Sequence, residues 1–105
     1  MTDKKKMRAA ELQAQFPALR EFFSGYLHQD FRHEYGSATG AAGAFRKDAN
    51  AAEIRAVQNE WKIWRSTLKE SSLDEIAIAL RQLGAAWQPR NERELDEVAK
   101  VLAQS

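Results

Sequence analysis

The strongest constraint on the fold lies between Ala51 and Lys69. There the apolar residues Ile54, Val57, Trp61, Trp64 and Leu68 recur in alternating steps of three and four. That is the period of an α-helix with one apolar face, and Asn50 stands where a helix cap belongs. A helix of this length gains most of its stability by burying its stripe against other elements. The rest of the chain must therefore supply complementary apolar faces.

It supplies them as further helices. Arg8 to Ala14 reads as a first short helix of good helix formers. Pro17 breaks it and suits the first turn of a second helix, from about Pro17 to about Leu27, with Leu19, Phe22, Phe23, Tyr26 and Leu27 at helical spacing. Periodicity fails from 28 to 40, which reads as an ordered turn region. Thr39 to Asp48 is a plausible short alanine-rich helix, weakened by Gly40 and Gly43. Ser71 or Ser72 can cap a helix over about Leu73 to Leu83, with Asp74 and Glu75 in its first turn and Gly84 as its stop. A connection containing Trp87 and Pro89 follows. Asn91 then caps a last helix that turns Leu95, Val98, Ala99 and Leu102 inward. No segment alternates with period two over strand length. The expectation is an all-α chain, a compact bundle of five or six short helices in a single domain over residues 7–105, preceded by a flexible basic arm over residues 1–6 that carries Lys4, Lys5 and Lys6.

Composition narrows the functional classes. In 105 residues there is no cysteine, which removes disulfides, thiolate metal sites and cysteine nucleophiles. The formal net charge of +1 argues neither for nor against a nucleic-acid partner. No apolar run has the length of a signal peptide core or a membrane span, so the expected location is cytoplasmic, with no membrane partner.

The densest group of potentially reactive side chains is His28, Asp30, His33 and Glu34. Two histidines five apart do not share a helix face, no zinc-ligand spacing is present, and no nucleophile at a recognisable turn accompanies them. A polar loop bonded to its own backbone explains the group better. No catalytic residue, metal ligand or cofactor site is expected. Trp61 and Trp64 fall on the long stripe and read as core, with their indole N–H groups meeting partners at the core edge; the sharper alternative makes one of them an exposed binding anchor. The burial of Trp87 is open. Arg55, Lys62 and Lys69, seven apart, share a face that could track phosphates, although interspersed acids such as Glu60 favour a simple solvated face. The acids Glu92, Glu94, Asp96 and Glu97 suit the start of a helix and could also present a phosphate-like patch to a basic protein.

One segment carries a resemblance. Phe16-Pro17-Ala18-Leu19-Arg20-Glu21-Phe22 is followed by Gly25-Tyr26-Leu27-His28-Gln29-Asp30-Phe31 and then Tyr35-Gly36. The run resembles the N-terminal signature of small immunity proteins of contact-dependent growth inhibition systems, with looser similarity at Leu83-Gly84 and Trp87-Gln88-Pro89. The resemblance implies a protein that binds the C-terminal toxin domain of a large exported protein from its own locus, as a 1:1 heterodimer. Toxins of such systems are often nucleases, including tRNA-cleaving ones, and the implied mechanism is stoichiometric occlusion. Specificity needs surface chemistry that differs between pairs. A shared signature is therefore expected to be structural: Phe16, Leu19, Phe22, Phe23, Tyr26, His28, Gln29, Asp30, Tyr35 and Gly36 hold the fold, with Tyr26, His28, Gln29 and Asp30 tying the second helix to the turn region. The expected toxin contacts are Asp30, Glu34, Glu92, Glu94, Asp96 and Glu97. The alternative is a small helical nucleic-acid-binding protein using the 51–69 basic face; on the leading reading no direct nucleic-acid contact is expected.

Overall fold

Most of the helices begin where a side chain offers an acceptor for their free N–H groups. The computed structural model describes residues 15–104; the basic arm and the Arg8–Ala14 helix lie outside them. Six helices follow in order: α1 (Pro17–Tyr26), α2 (Phe31–Tyr35), α3 (Ala38–Asp48), α4 (Ala51–Thr67), α5 (Leu73–Gln82) and α6 (Glu92–Ala103). Ser37, Asn50, Ser72 and Asn91 cap the last four through their side chains. At Asn50 and Ser72 the cap is reciprocal, because Glu53 and Glu75 reach back to the cap backbone. Among the described residues no strand is present, and the all-α expectation holds.

The start of α1 is built differently. Phe16 offers no side-chain acceptor. Glu60, reaching across from α4, takes the N–H groups of Ala18 and Leu19 on one carboxylate oxygen at 2.9 and 3.0 Å. A charged acceptor at a helix N-terminus is favoured by both the open N–H groups and the dipole. Glu60 is therefore a long-range cap for α1, not an interspersed acid on a solvated face.

The turn region contains more helix than expected. Phe31 to Tyr35 forms a single turn, too short for any periodic signal, and Gly36 ends it at φ +83°. Helix α3 then begins at Ala38. The long helix stops at Thr67, two residues short of the predicted Lys69. Helix α5 closes on a Schellman motif: Ala85 N–H returns to Leu80 O, Gly84 N–H returns to Arg81 O, and Gly84 holds φ +97°.

One continuous core fills the space between the helices. Phe23 of α1 sets its ring edge against Trp61 and Trp64 of α4, with centroids 6.3 and 5.8 Å away. Phe22 meets Phe45 of α3 at 5.0 Å. Helix α3 packs closely on α6, and its Ala41 and Ala42 are buried. Both stripe tryptophans are core residues; the indole N–H of Trp64, however, is buried with no hydrogen-bond partner among the described residues. Trp87 is also core, 2% exposed. It sits in an extended connection where Ala85, Trp87 and Pro89 are buried and Ala86, Gln88 and Arg90 are exposed. Ala86 N–H fastens this connection to the end of α1 through Leu27 O at 2.7 Å. Arg46 and Gln58 both donate to Leu102 O and hold the end of α6.

Candidate functional site

Two of the expected contact residues, Glu94 and Glu97, line one crevice. This crevice of about 100 Å³ is lined by Phe31 and Arg32 of α2, Trp87 and Arg90 of the connection, and Glu94 and Glu97 of α6. It brings the α2 segment, which carries Asp30 and Glu34 at its ends, against the first turns of α6. Asp30, Glu34, Glu92, Asp96 and Glu97 are exposed. Glu94 is half-buried and serves the fold: it accepts Arg90 N–H at 3.0 Å and meets the Arg90 guanidinium at 3.3 Å. Its own N–H donates to the Asn91 cap.

His28 organises the other side of α2. Its Nδ1 accepts the Asp30 N–H at 3.1 Å, and its Nε2 lies 2.7 Å from Glu34. These two partners place the ring proton on Nε2 in the neutral imidazole, so both nitrogens are already engaged. Gln29 and Asp30 present exposed side chains. His33 is exposed as well, and no group of three metal-ligating side chains is assembled among the described residues.

Tyr26 reaches away from the turn region to α3, donating its hydroxyl to Asp48 Oδ2 at 2.8 Å. Burial first, then the bond to Asp48 and the charge of that carboxylate, push its phenol up to about 12. Tyr35 stacks on Tyr26 at 5.7 Å, and its phenol is also raised, by burial and then by Glu34. A continuous side-chain path thus runs Glu34, His28, Tyr35, Tyr26, Asp48.

That path ends in a feature with no signal in the sequence. Helices α1, α3 and α4 enclose an open cleft of about 320 Å³. Phe22, Tyr26 and Phe45 form its aromatic wall, and Glu21, Asp48 and Glu53 stand around it. Each acid, read alone, is an ordinary charge on a helix; they are separated by 27 and 5 positions in sequence. No cation lines the cleft among the described residues. Arg55 and Lys62 are exposed on α4, and Lys69, also exposed, lies in the turn beyond the end of the helix, so the expected face does not reach it.

The comparisons add the family. A family profile described as CdiI immunity protein matches residues 15–101, from the start of α1 into the last turn of α6. The chain belongs to the CdiI immunity protein family. Neither the comparison with curated proteins nor that with solved structures yields a match. As a CdiI immunity protein the chain has the family's role, neutralising a cognate contact-dependent growth inhibition toxin. The matched span includes the crevice, the His28–Tyr35 path and the cleft. Among the described residues of this CdiI immunity protein no helix is long and apolar enough to cross a membrane.

Proposed function

We propose that the protein acts in the cytoplasm by binding the C-terminal toxin domain of its own locus as a 1:1 heterodimer, occluding the toxin's active site or substrate-binding surface. The observation that carries this reading is the family match over residues 15–101. The mechanism needs no catalysis and no cofactor from this chain. It needs a complex that forms fast and dissociates slowly, because one escaped toxin molecule turns over many substrates. Complementary charge accelerates capture, and buried anchors slow release.

A nuclease, tRNases included, is the proposed target class, because such an enzyme presents a basic surface to its substrate. The exposed carboxylates Asp30, Glu34, Glu92, Asp96 and Glu97, together with the half-buried Glu94, are the proposed contacts, and Glu94 and Glu97 line the α2–α6 crevice. Co-expression tests the reading. The toxin domain alone should arrest growth, and the same domain expressed with this protein should be harmless and co-purify with it in equal amounts. A toxin domain that still kills and elutes separately would refute it.

A further inference from the structure

The cleft between α1, α3 and α4 combines three properties that together specify an occupant. It is concave, and its volume of about 320 Å³ lies at the lower end of the range for pockets that take small groups. Its wall is aromatic: half-buried Tyr26 packs with Phe22 and Phe45, themselves buried beneath the surface, with centroids 5.0 to 6.2 Å apart. The charged residues that line it, among those described, are all acidic. The Arg90–Glu94 ion pair and the His28–Glu34 contact found among the described residues both lie elsewhere.

The carboxylates are also only partly used. Asp48 accepts the Tyr26 hydroxyl on Oδ2, and Glu53 accepts the Asn50 N–H on Oε1. Asp48 Oδ1 and Glu53 Oε2 are left without an internal partner among the described residues. Glu21 is exposed on α1. The two structural bonds hold Asp48 and Glu53 in place, so a cation entering the cleft meets preorganised acceptors and need not order them.

We propose that this cleft is a subsite of the toxin-binding surface and takes an arginine side chain of the toxin, its guanidinium plane against the aromatic wall and its N–H fork on Asp48 and Glu53. The proposal rests on the toxin-neutralising reading. Arginine fits better than lysine because its flat, weakly hydrated head stacks on aromatic rings while donating in a fork to carboxylates. The Tyr26 phenol stays neutral throughout the working pH range, since its ionisation is pushed up to about 12. It therefore lines the cleft as an uncharged, half-buried ring whose hydroxyl is already committed to Asp48.

The test measures binding of the purified toxin domain to three forms of the full chain. The first is wild type. The second is Glu21→Gln/Asp48→Asn/Glu53→Gln, which removes charge while retaining acceptors for Tyr26 and Asn50. The third is Glu21→Lys, a single change on the exposed face of α1 that leaves both structural bonds untouched. The expected result is affinity weakened by roughly 30-fold or more in the triple variant and by about tenfold in Glu21→Lys, with a flatter salt dependence in the triple variant. An arginine-to-alanine change in the toxin should then cost wild type much more than it costs the triple variant. If wild type binds and both variants bind within threefold of it, the cleft serves the chain's own Lys4–Lys6 or nothing, and the subsite falls while the immunity reading stands. If wild type itself does not bind the toxin domain, both fall.

Discussion

At the scale of single residues, two polar contacts, one exposed and one half-buried, join helices that are far apart in sequence. Tyr26 donates to Asp48, and Glu60 caps α1. For Tyr26 the sign of the pH effect follows from the phenol. It ionises at about 10 in an unfolded chain and at about 12 in the fold. The folded state holds the proton more tightly, so the stabilisation is complete below pH 10 and is lost as pH rises toward 12. Urea unfolding across that window should show wild type losing more stability than Tyr26→Phe. Absorbance titration should show a late-ionising phenol that moves down in Asp48→Asn, where the charge is gone and the acceptor remains. For Glu60, alanine leaves the Ala18 and Leu19 N–H groups without their acceptor. The expected cost is about 1–3 kcal/mol, or a fall in Tm of several degrees, while Glu60→Gln costs less because one oxygen still accepts. Equal melting of the two variants would show that Glu60 does not cap α1.

At the scale of elements, periodicity made most of the helices legible, because α1, α4, α5 and α6 each turn one regular stripe inward. The misses have a common physical cause: short segments held by neighbours. Helix α2 is one turn whose existence depends on Phe31 being buried and on Gly36 reversing the chain. Trp87 is buried because its extended connection lies along the bundle, fixed by a hydrogen bond to Leu27. Neither leaves a periodic trace. Helix α3 was legible as a weak helix, and its two glycines separate under structural inspection. A Cβ at Gly40 would fall on the carbonyl oxygen of Tyr35, whereas a Cβ at Gly43 meets nothing within 4 Å. Gly40 is where α3 approaches the end of α2, and Gly43 is simply a glycine inside a helix. Gly43→Ala should therefore stabilise the protein by about 0.5–1 kcal/mol, and Gly40→Ala should destabilise it by about 1–3 kcal/mol, because α2 must move. Thermal melts of the two single variants should shift in opposite directions; a stabilising Gly40→Ala would mean that α2 and α3 are not in close contact.

At the scale of the molecule, the same asymmetry governs fold and site. Core residues announce themselves by spacing, so Leu19, Phe22, Phe23 and the α4 stripe could be read along the chain. A binding surface announces itself by proximity, which spacing within one helix does not encode. Glu92 to Glu97 were visible as a run; Glu21, Asp48 and Glu53 become a group only when α1, α3 and α4 pack. Against a net charge of +1, such a group is a local field and not a property of the whole protein. The core that assembles it is one cluster running from Phe16 to Leu102, and the radius of gyration, 13.2 Å, is close to the roughly 13 Å of a compact domain of about 100 residues. A single core of this kind should unfold as one cooperative unit. The tryptophans make that testable, since Trp61 and Trp64 report on the α1–α4 contact while Trp87 reports on the connection beside α2 and α6. Fluorescence and far-ultraviolet circular dichroism should give one shared melting curve in wild type. The same coincidence should survive in Trp87→Phe, where only the α4 pair still emits. Calorimetric and van't Hoff enthalpies should agree at about 60–80 kcal/mol. A fluorescence transition that shifts away from the dichroism curve when Trp87 is removed would mean that the connection and α6 unfold separately from α1 and α4. The crevice and the cleft would then belong to different cooperative units, and one toxin could not be expected to read them as a single rigid surface.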